Sequence, residues 1–363
     1  MDIAIVDPFG VADDPDMPFL AGALDPVEVR RQFASCLPQL ARESGGLTIR
    51  AIRVLRHKPG RRCLIAYDLE GRRPDASARP QTVLGKARAK GLDRSQVPLL
   101  EAMRVAGFDG RDDGIAVPEP IGMVPEFQMW LQRQEPGVPA TRLLAGPGGV
   151  ALSRRIAEAA HKLHREGPAP SRRHTMADEL GILHDRLRRV ARSEPKWASR
   201  LERLLAACQR LGSSVEERPT CGIHRDFYPD QVLVDGTRLC LLDFDLYCEG
   251  NPALDIGNFL GHLTEQSLRS GGDADGLADR ERAMEDRFVE LRGESVRPAI
   301  RAYATLTLAR HIAISAQMAS RRHVTGPLVD LCERRLGLRS RVRPARVDTT
   351  TITDEVTNGG ADR

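Results

Sequence analysis

The stretch that decides the fold is CGIHRDFYPDQVLVDGTRLCLLDFD, residues 221–245. Asp226 follows a His-Arg pair and supplies a carboxylate that can accept a proton from a hydroxyl group. Gln231 and Asp243 supply side-chain oxygens of the kind that Mg²⁺ prefers. Phosphoryl transfer needs both a group that orients the nucleophile and metal ions that neutralise the phosphate oxygens. The composition of this stretch therefore indicates phosphoryl-transfer chemistry.

The spacing predicts that these side chains lie close together. Residues 231–242 have the pattern of a β-hairpin around an Asp-Gly turn. A hairpin brings its two ends together, so Asp226 and Gln231 on one side can face Asp243 on the other. An ordinary hairpin with solvated carboxylates is the alternative interpretation.

The same stretch resembles the aminoglycoside phosphotransferase and choline kinase family, a branch of the protein-kinase-like fold. The segment HRDFYPDQ, residues 224–231, is similar to that family's His-x-Asp-x-x-x-x-Asn loop. The segment LDFD (242–245) is similar to its metal-binding strand end, and GNPALD (250–255) to its Gly-Asp-Pro-x-x-Asp segment. Departures occur at Arg225, Gln231 and Asn251, where Gly, Asn and Asp are common. The resemblance covers roughly residues 47 to 340.

The resemblance implies an α+β, two-lobed protein-kinase-like fold, with a small antiparallel-sheet N-lobe and a larger, mostly helical C-lobe. We expect an N-terminal extension with a helix over 1–46 and a nucleotide-binding N-lobe over 47–135. A catalytic and acceptor-binding C-lobe is expected over 136–342, followed by a disordered tail over 343–363. The extension is expected to be irregular through residue 24, and Asp25-Pro26 is expected to open its helix, with Asp25 as the N-cap and the helix running to about Leu37.

The site residues of the C-lobe follow from the same resemblance. Asp226 is the expected catalytic residue, and Gln231 and Asp243 are the expected metal ligands. His224 and Asp255 are expected to support the loop structurally. The resemblance implies Mg²⁺ as cofactor and ATP or GTP as phosphate donor.

Alternating apolar and polar residues predict strands over 47–55 and 62–69, and a third predicted strand, 82–88, carries the expected phosphate ligand of the N-lobe. Lys86 lies in the run 82–88 and is one of only five lysines. In the family this lysine binds the nucleotide phosphates, and it pairs with a helix glutamate. Glu101, on a predicted helix over 95–106, is the expected partner. The alternatives are an exposed strand lysine and a solvated helix carboxylate.

Two more nucleotide contacts are expected in the N-lobe. No glycine-rich phosphate motif precedes the third strand, but the turn HKPGRR, residues 57–62, occupies its place. Lys58 and the backbone N–H groups of this turn are expected to contact phosphate, although a solvated basic hairpin explains the turn equally well. Gln134 ends a predicted strand before a Pro-Gly break, where the family's hinge meets the base.

Composition sets the limits of these expectations. The chain has 363 residues, of which 41% are hydrophobic and 29% charged, as in an ordinary globular enzyme. A net charge of +4 without basic blocks predicts no nucleic-acid partner. No run of about 18 apolar residues and no signal peptide are present, so we expect a cytoplasmic protein without a membrane partner.

Seven scattered cysteines suit reduced thiols. His161 and His164 lack a third metal ligand nearby.

The leading hypothesis is a Mg²⁺-dependent phosphotransferase that moves the terminal phosphate of ATP or GTP to a hydroxyl of a small molecule. A protein kinase is disfavoured because only eleven residues separate Asp243 from Asp255. The alternative is a nucleotide-binding pseudokinase that acts through partner contacts, which Gln231 favours. The oligomeric state is left open.

The acceptor is also left open among aminoglycosides, other sugars, amino alcohols and nucleosides. A polycationic acceptor would need a carboxylate-rich pocket in the helical lobe. Carboxylates are available there, but arginines are interleaved with them, so a salt-bridged surface explains the pattern as well. These carboxylates are Glu265, Asp273, Asp275, Glu281, Glu285 and Asp286.

Overall fold

A computed structural model describes residues 3–43, 48–70, 80–216 and 219–338. The predicted tail, 343–363, lies outside the described residues. Within the described ranges, the strands are β1 (Ala4–Val6), β2 (Thr48–Lys58), β3 (Arg62–Glu70), β4 (Pro80–Arg88), β5 (Ile115–Ala116), β6 (Pro120–Val124), β7 (Met129–Arg133), β8 (Val138–Pro139), β9 (Cys221–Ile223), β10 (Val232–Asp235), β11 (Arg238–Leu241) and β12 (Cys248–Gly250).

The helices follow the same chain order. They are α1 (Leu20–Leu24), α2 (Pro26–Cys36), α3 (Pro38–Glu43), α4 (Gln96–Val105), α5 (Gly149–Glu166), α6 (Met176–Ser193), α7 (Ala198–Ser213), α8 (Ala253–Gly271), α9 (Ala278–Arg292), α10 (Arg297–Gln317) and α11 (Thr325–Arg335). Among the described residues, no helix combines the length and the apolar character that crossing a membrane requires.

A six-stranded sheet forms the N-terminal part, in the order β1-β2-β3-β4-β7-β6. Only β1 pairs in parallel, so the sheet is antiparallel-rich. The strands predicted from alternating apolar residues are confirmed as β2 and β3. Their apolar positions lie on a face that is buried in the core. In the register, Lys86 of β4 lies opposite Trp130 of β7.

The N-terminal extension packs on this sheet. Asp25 caps α2 as its sequence predicts: its carboxylate accepts a hydrogen bond from the backbone N–H of Val27 at 2.8 Å. The ring of Phe33 on α2 meets Tyr67 of β3 edge-on at 5.0 Å.

The expectation that residues 1–24 are irregular is wrong in part. β1 and α1 form there because the apolar side chains of α1 are buried in the sheet's core.

The C-terminal part is mostly helical and surrounds two small sheets. The first has the order β5-β11-β10-β8, and the second pairs β12 with β9. The predicted hairpin is confirmed as β10 and β11, with Gly236 at φ 57° in the turn. α8 and α10 pack against each other and are buried over most of their lengths. The antiparallel-rich sheet and the helical C-terminal part confirm the predicted α+β class.

Candidate active site

The loop that carries Asp226 is held by one fully buried carboxylate. Asp255, near the start of α8, accepts the backbone N–H of His224 at 2.8 Å and that of Arg225 at 2.7 Å. His164 of α5 places Nε2 2.8 Å from the same carboxylate. The Nε2 of His224 donates to the backbone oxygen of Leu242 at 2.7 Å. These contacts fix the loop against the end of the hairpin.

Backbone conformation at this loop is unusual in two places. Arg225 has φ 70° and Asp243 has φ 62°, and both lie in the left-handed region. Non-glycine residues adopt this region rarely, and such strained positions cluster at functional sites. The network around Asp255 supports the conformation of Arg225, because its N–H is one of the bound groups.

Asp226, Gln231 and Asp243 line one cleft of about 1160 Å³. The backbone N–H of Leu242 donates to the backbone oxygen of Gln231 at 2.8 Å, which extends the hairpin pairing to the level of the site. The side-chain Nε2 of Gln231 lies 3.5 Å from Oδ2 of Asp243. The amide and the carboxylate that the sequence predicts as metal ligands therefore face each other.

Lys86 extends from the six-stranded sheet to this carboxylate. Its Nζ lies 3.4 Å from Oδ1 of Asp243 and 4.9 Å from the ring centroid of Trp130. Burial raises the pKa of Asp243, but the charges of Lys86 and His224 and the hydrogen bond from Lys86 outweigh it, and the net pKa is lowered. Asp243 is therefore ionised at neutral pH.

A second carboxylate lies beside Asp243. Asp245 forms an ion pair with Arg88 of β4. Burial and the like charge of Asp243 raise the pKa of Asp245. Sequence reasoning did not include Arg88, although a signal existed: residues two apart on a strand share a face, and Lys86 is two residues earlier.

The predicted ion pair between Lys86 and Glu101 is not formed. The helix is confirmed as α4, and the face that it buries carries Gln96, Val97, Leu100 and Met103. Glu101 lies outside this face and is exposed. Among the described residues, Asp243 is the only carboxylate within ion-pair distance of Lys86. Core packing of the apolar positions determines how α4 is rotated, and this rotation places Glu101 in solvent.

The other two predicted nucleotide contacts differ in position. Lys58 lines the cleft. Burial, followed by the charges of neighbouring arginines, lowers its pKa. Gln134 is exposed after β7, and its backbone N–H donates to the oxygen of Thr82 at 2.9 Å. It is not among the described residues that line the cleft, so its role in binding the base stays a prediction.

The turn that carries Lys58 is held by the N-terminal extension. The carboxylate of Asp14 accepts the backbone N–H of Gly60 at 2.9 Å, and its Oδ2 lies 2.8 Å from Nε2 of His57. The hydrogen bond from Gly60 is the largest cause of the lowered pKa of Asp14, which its hydrogen bond and charge contact with His57 lower further. Nothing in the local sequence indicated this contact, because it joins residues 46 positions apart.

A group of stacked aromatic rings, of which His311 is buried and Tyr228 and His262 are half-buried, forms another part of the cleft that sequence reasoning missed. Tyr228 stacks on His262 at 4.6 Å between ring centroids, and His262 meets His311 edge-on at 4.4 Å. Burial, helped by the arginines nearby, lowers the pKa of both histidines. Both are neutral at physiological pH. Burial raises the pKa of Tyr228 to about 12.

The donor set fits a hard cation that is held mainly by substrate. Asp243 offers an ionised carboxylate, and Gln231 offers an amide oxygen beside it. In the part of the chain that the structure describes, no group of three or more His, Cys, Asp or Glu side chains is placed to hold a metal ion. Mg²⁺ commonly uses one or two carboxylates together with substrate phosphates, which agrees with this arrangement.

Comparison with known proteins identifies the family. The model of the phosphotransferase enzyme family matches residues 94–292, which include the Asp226 loop and the hairpin. The chain belongs to this family. No curated protein gives a significant match.

Solved structures support the fold. A choline/ethanolamine kinase family protein from Mesorhizobium loti superposes with a TM-score of 0.56 at 16% identity, covering 85% of this chain and 94% of that chain. Spectinomycin phosphotransferase APH(9)-Ia, in complex with ADP and spectinomycin, gives 0.52 at 11% identity, covering 82% and 97%. A thermostable mutant of aminoglycoside phosphotransferase APH(4)-Ia, in ternary complex with AMP-PNP and hygromycin B, gives 0.51 at 15%, covering 85% and 96%. The predicted two-lobed kinase-like fold is confirmed.

Proposed function

We propose that this phosphotransferase moves the terminal phosphate of ATP or GTP to a hydroxyl group of a small molecule, with Mg²⁺ as cofactor. The observation that carries the proposal is the convergence of Asp226, Gln231 and Asp243 on one cleft. The loop that presents Asp226 is fixed through the buried Asp255. A solvated surface hairpin would not need such a buried network.

Each side chain has a role that its position suits. Asp226 orients the acceptor hydroxyl and accepts its proton. Lys86 and Lys58 contact phosphate oxygens from the N-lobe side, where a compact ammonium acts as a point charge. Catalysis by such a site consists mainly of positioning and of stabilising the charge on the transferred group. The N-lobe, residues 47–135, supplies the nucleotide contacts, and the C-lobe, 136–342, supplies the acceptor contacts.

Asp243 and Gln231 would hold Mg²⁺, and the ion would neutralise charge on the phosphate oxygens. The Nε2 of Gln231 faces Asp243 in the structure. Rotation of the amide by half a turn presents its oxygen to the same space. Asp243 meanwhile balances the positive charge of Lys86.

The solved structures with bound ligands support the donor and acceptor classes by analogy only. One holds AMP-PNP and hygromycin B, and another holds ADP and spectinomycin. A nucleotide donor and a small hydroxylated acceptor are the simplest extension to this chain. Because the identities are 15% and 11%, the particular acceptor does not carry over.

A nucleotide-binding pseudokinase is the second candidate, and Gln231 is the observation that favours it. A longer side chain stands where the family commonly has Asn, at a position that affects metal geometry. Nucleotide binding should be titrated with and without Mg²⁺, and nucleotide turnover measured with a panel of hydroxylated acceptors. Mg²⁺-dependent binding with acceptor-stimulated ADP formation supports the enzyme. Binding without turnover for any acceptor supports the pseudokinase.

A further inference from the structure

The cleft is rich in arginine on the side away from the six-stranded sheet. Its C-lobe lining includes seven arginines, which come from the Asp226 loop and from several helices. They are Arg172, Arg186, Arg189, Arg225, Arg269, Arg310 and Arg321. A separate basic group, from β2 to β4 and the turn at residues 59–61, lies on the N-lobe side: Arg56, Lys58, Arg61, Arg62 and Arg88. The N-lobe group lies on the side where the proposed function places the nucleotide phosphates, so the C-lobe arginines need another explanation.

The described lining of the cleft offers few carboxylates that are free to bind a cation. Asp245 is paired with Arg88, and the Oδ1 of Asp230 is bound by the hydroxyl of Thr141. Glu265 lies 3.1 Å from Arg269 and 3.9 Å from Arg321. The two remaining carboxylates, Asp226 and Asp243, belong to the proposed chemistry. Asp230 keeps its negative charge, because the hydroxyl of Thr141 is neutral, but among the described lining residues it is the one carboxylate outside the proposed chemistry that no arginine balances.

In the described part of the chain, four of the C-lobe arginines have no carboxylate within ion-pair distance. Arg172 and Arg189 donate to backbone oxygens instead, so only the guanidinium groups of Arg186 and Arg225 lack a protein partner. Arg186, on α6, is half-buried. Burial and then the charge of Arg310 lower its pKa, while the charges of Glu179 and Asp226 oppose that change. Arg225 is also half-buried, and its backbone, not its guanidinium, is bound by Asp255. A carboxylate or phosphate group of a ligand would supply the partner that these half-buried guanidinium groups lack.

Arg310, from α10, lines the same cleft as Arg186 and Arg225, and two contacts hold its side chain in place. Its Nη1 lies 3.5 Å from a carboxylate oxygen of Glu179, and its Nη2 donates to the side-chain oxygen of Asn258. Asn258 in turn donates to the backbone oxygen of Phe227 at 2.9 Å, next to Asp226. The arginine cluster is therefore attached to the loop that carries the proposed catalytic carboxylate.

We infer that the acceptor is an anionic hydroxylated molecule, whose carboxylate or phosphate group is bound by Arg186, Arg225 and Arg310 while its hydroxyl faces Asp226. The inference rests on the proposed function and specifies its acceptor class. Planar guanidinium groups bind carboxylate and phosphate through two parallel hydrogen bonds, which gives both affinity and orientation. The same cluster repels a polycationic acceptor.

The test uses four sugars that share one ring and differ in charge: glucose, glucosamine, glucuronate and glucose 6-phosphate. Their binding is measured by calorimetry on the full chain saturated with AMP-PNP and Mg²⁺, so that the nucleotide occupies the N-lobe basic group. ADP formation from ATP is measured with each sugar in parallel. We expect both acids to bind more tightly than glucose, and glucosamine to bind least. A comparison of the affinities for glucuronate and glucose 6-phosphate shows whether the cluster prefers a carboxylate or a phosphate group.

A matched pair of variants assigns the binding to the cluster. Arg186→Gln removes one unpaired guanidinium and should weaken binding of the better acid by about ten-fold or more, the range for a hydrogen bond to a charged group. Arg188→Gln, on an exposed part of the same helix and outside the cleft lining, should leave it unchanged. AMP-PNP binding should be the same in both variants.

Failure of the anion-site inference can be distinguished from failure of the proposed function. Binding of glucose or glucosamine as tight as that of the acids would overturn the inference. So would the absence of binding by both acids at millimolar concentration, or an Arg186→Gln variant with unchanged acid affinity. A chain that binds an acid at this cluster but neither binds nor turns over nucleotide would leave the anion site standing and remove the proposed function.

Discussion

The side-chain Nε2 of Gln231 lies 3.5 Å from Oδ2 of Asp243, although Gln is one methylene longer than the Asn common at this position. The extra methylene extends the reach of the amide by roughly one C–C bond, about 1.5 Å. The loop around Pro229 accommodates this length, because the amide still meets Asp243 and also donates to the hydroxyl of Tyr228 at 3.2 Å. The longer side chain therefore remains within the site.

This geometry predicts the effect of shortening Gln231. Gln231→Asn should lower turnover, because the amide oxygen then falls short of an ion that demands near-ideal geometry. Gln231→Ala should lower it further, because the oxygen is removed altogether. Turnover as a function of Mg²⁺ concentration measures both effects. An increase in activity well above wild type for Gln231→Asn would instead indicate a decayed site and favour the pseudokinase.

Asp226 is expected to act in chemistry and not in nucleotide binding. Asp226→Asn keeps the shape of the side chain but removes the proton acceptor, so turnover should fall by roughly 10²-fold or more. Nucleotide affinity should not change. Asp235→Asn, at an exposed position of the hairpin that follows the Asp226 loop, is the matched control. Wild-type turnover in the Asp226 variant would remove this assignment.

Asp243 is expected to carry the Mg²⁺ dependence of nucleotide binding. Asp243→Ala removes an anionic oxygen from an ion that has few protein ligands, and should abolish that dependence. Burial raises the pKa of Asp243, but the charge of Lys86 outweighs burial and the net pKa is lowered, so the carboxylate is ionised at neutral pH. The Mg²⁺ dependence of binding should therefore persist at mildly acidic pH and be lost only as the pH falls through the lowered pKa of this carboxylate. If the variant binds with unchanged Mg²⁺ dependence, Asp245 becomes the candidate ligand.

Asp255 is expected to stabilise both the fold and the loop. Its carboxylate is fully buried and is bound by His164 and by two backbone N–H groups. Asp255→Ala leaves these donors unpaired in the core, and should reduce the free energy of unfolding by roughly 3–5 kcal/mol. Chemical denaturation measures the loss, with the exposed Asp275→Ala as control. Equal stability of the two variants would contradict the role of this network.

The N-terminal extension is expected to affect nucleotide affinity. Asp14→Ala removes the acceptor of the Gly60 N–H and should loosen the turn that carries Lys58. The Michaelis constant for nucleotide should rise, with little change in the pH dependence of turnover. Asp13→Ala, one residue away and exposed, should have no effect. A nucleotide Michaelis constant that is the same in both variants would show that the turn is held by other contacts.

The local features of this chain were predictable because they depend on neighbours in sequence. Alternating apolar residues predicted β2 and β3, the run 82–88 predicted β4, and the Asp-Gly turn predicted the hairpin. The convergence of Gln231 and Asp243 followed from the hairpin. The start of α2 followed from Asp25, whose carboxylate can accept the first free N–H groups of a helix.

The contacts that complete the site were decided by packing between distant segments. His164 reaches Asp255 across 91 positions, and Asp14 reaches Gly60 across 46. The sequence predicted α4, but the rotation of α4 in the core placed Glu101 in solvent.

The sequence by itself determined the secondary structure around the site, the family and the side chains of the proposed phosphoryl chemistry, because each depends on residue types at short spacings. Only the tertiary structure decided which carboxylate pairs with Lys86 and which arginines share the cleft with Asp226. The physical reason is that ion pairs and charge clusters depend on how helices and sheets are rotated and packed. That rotation is set by the buried apolar faces of many segments together.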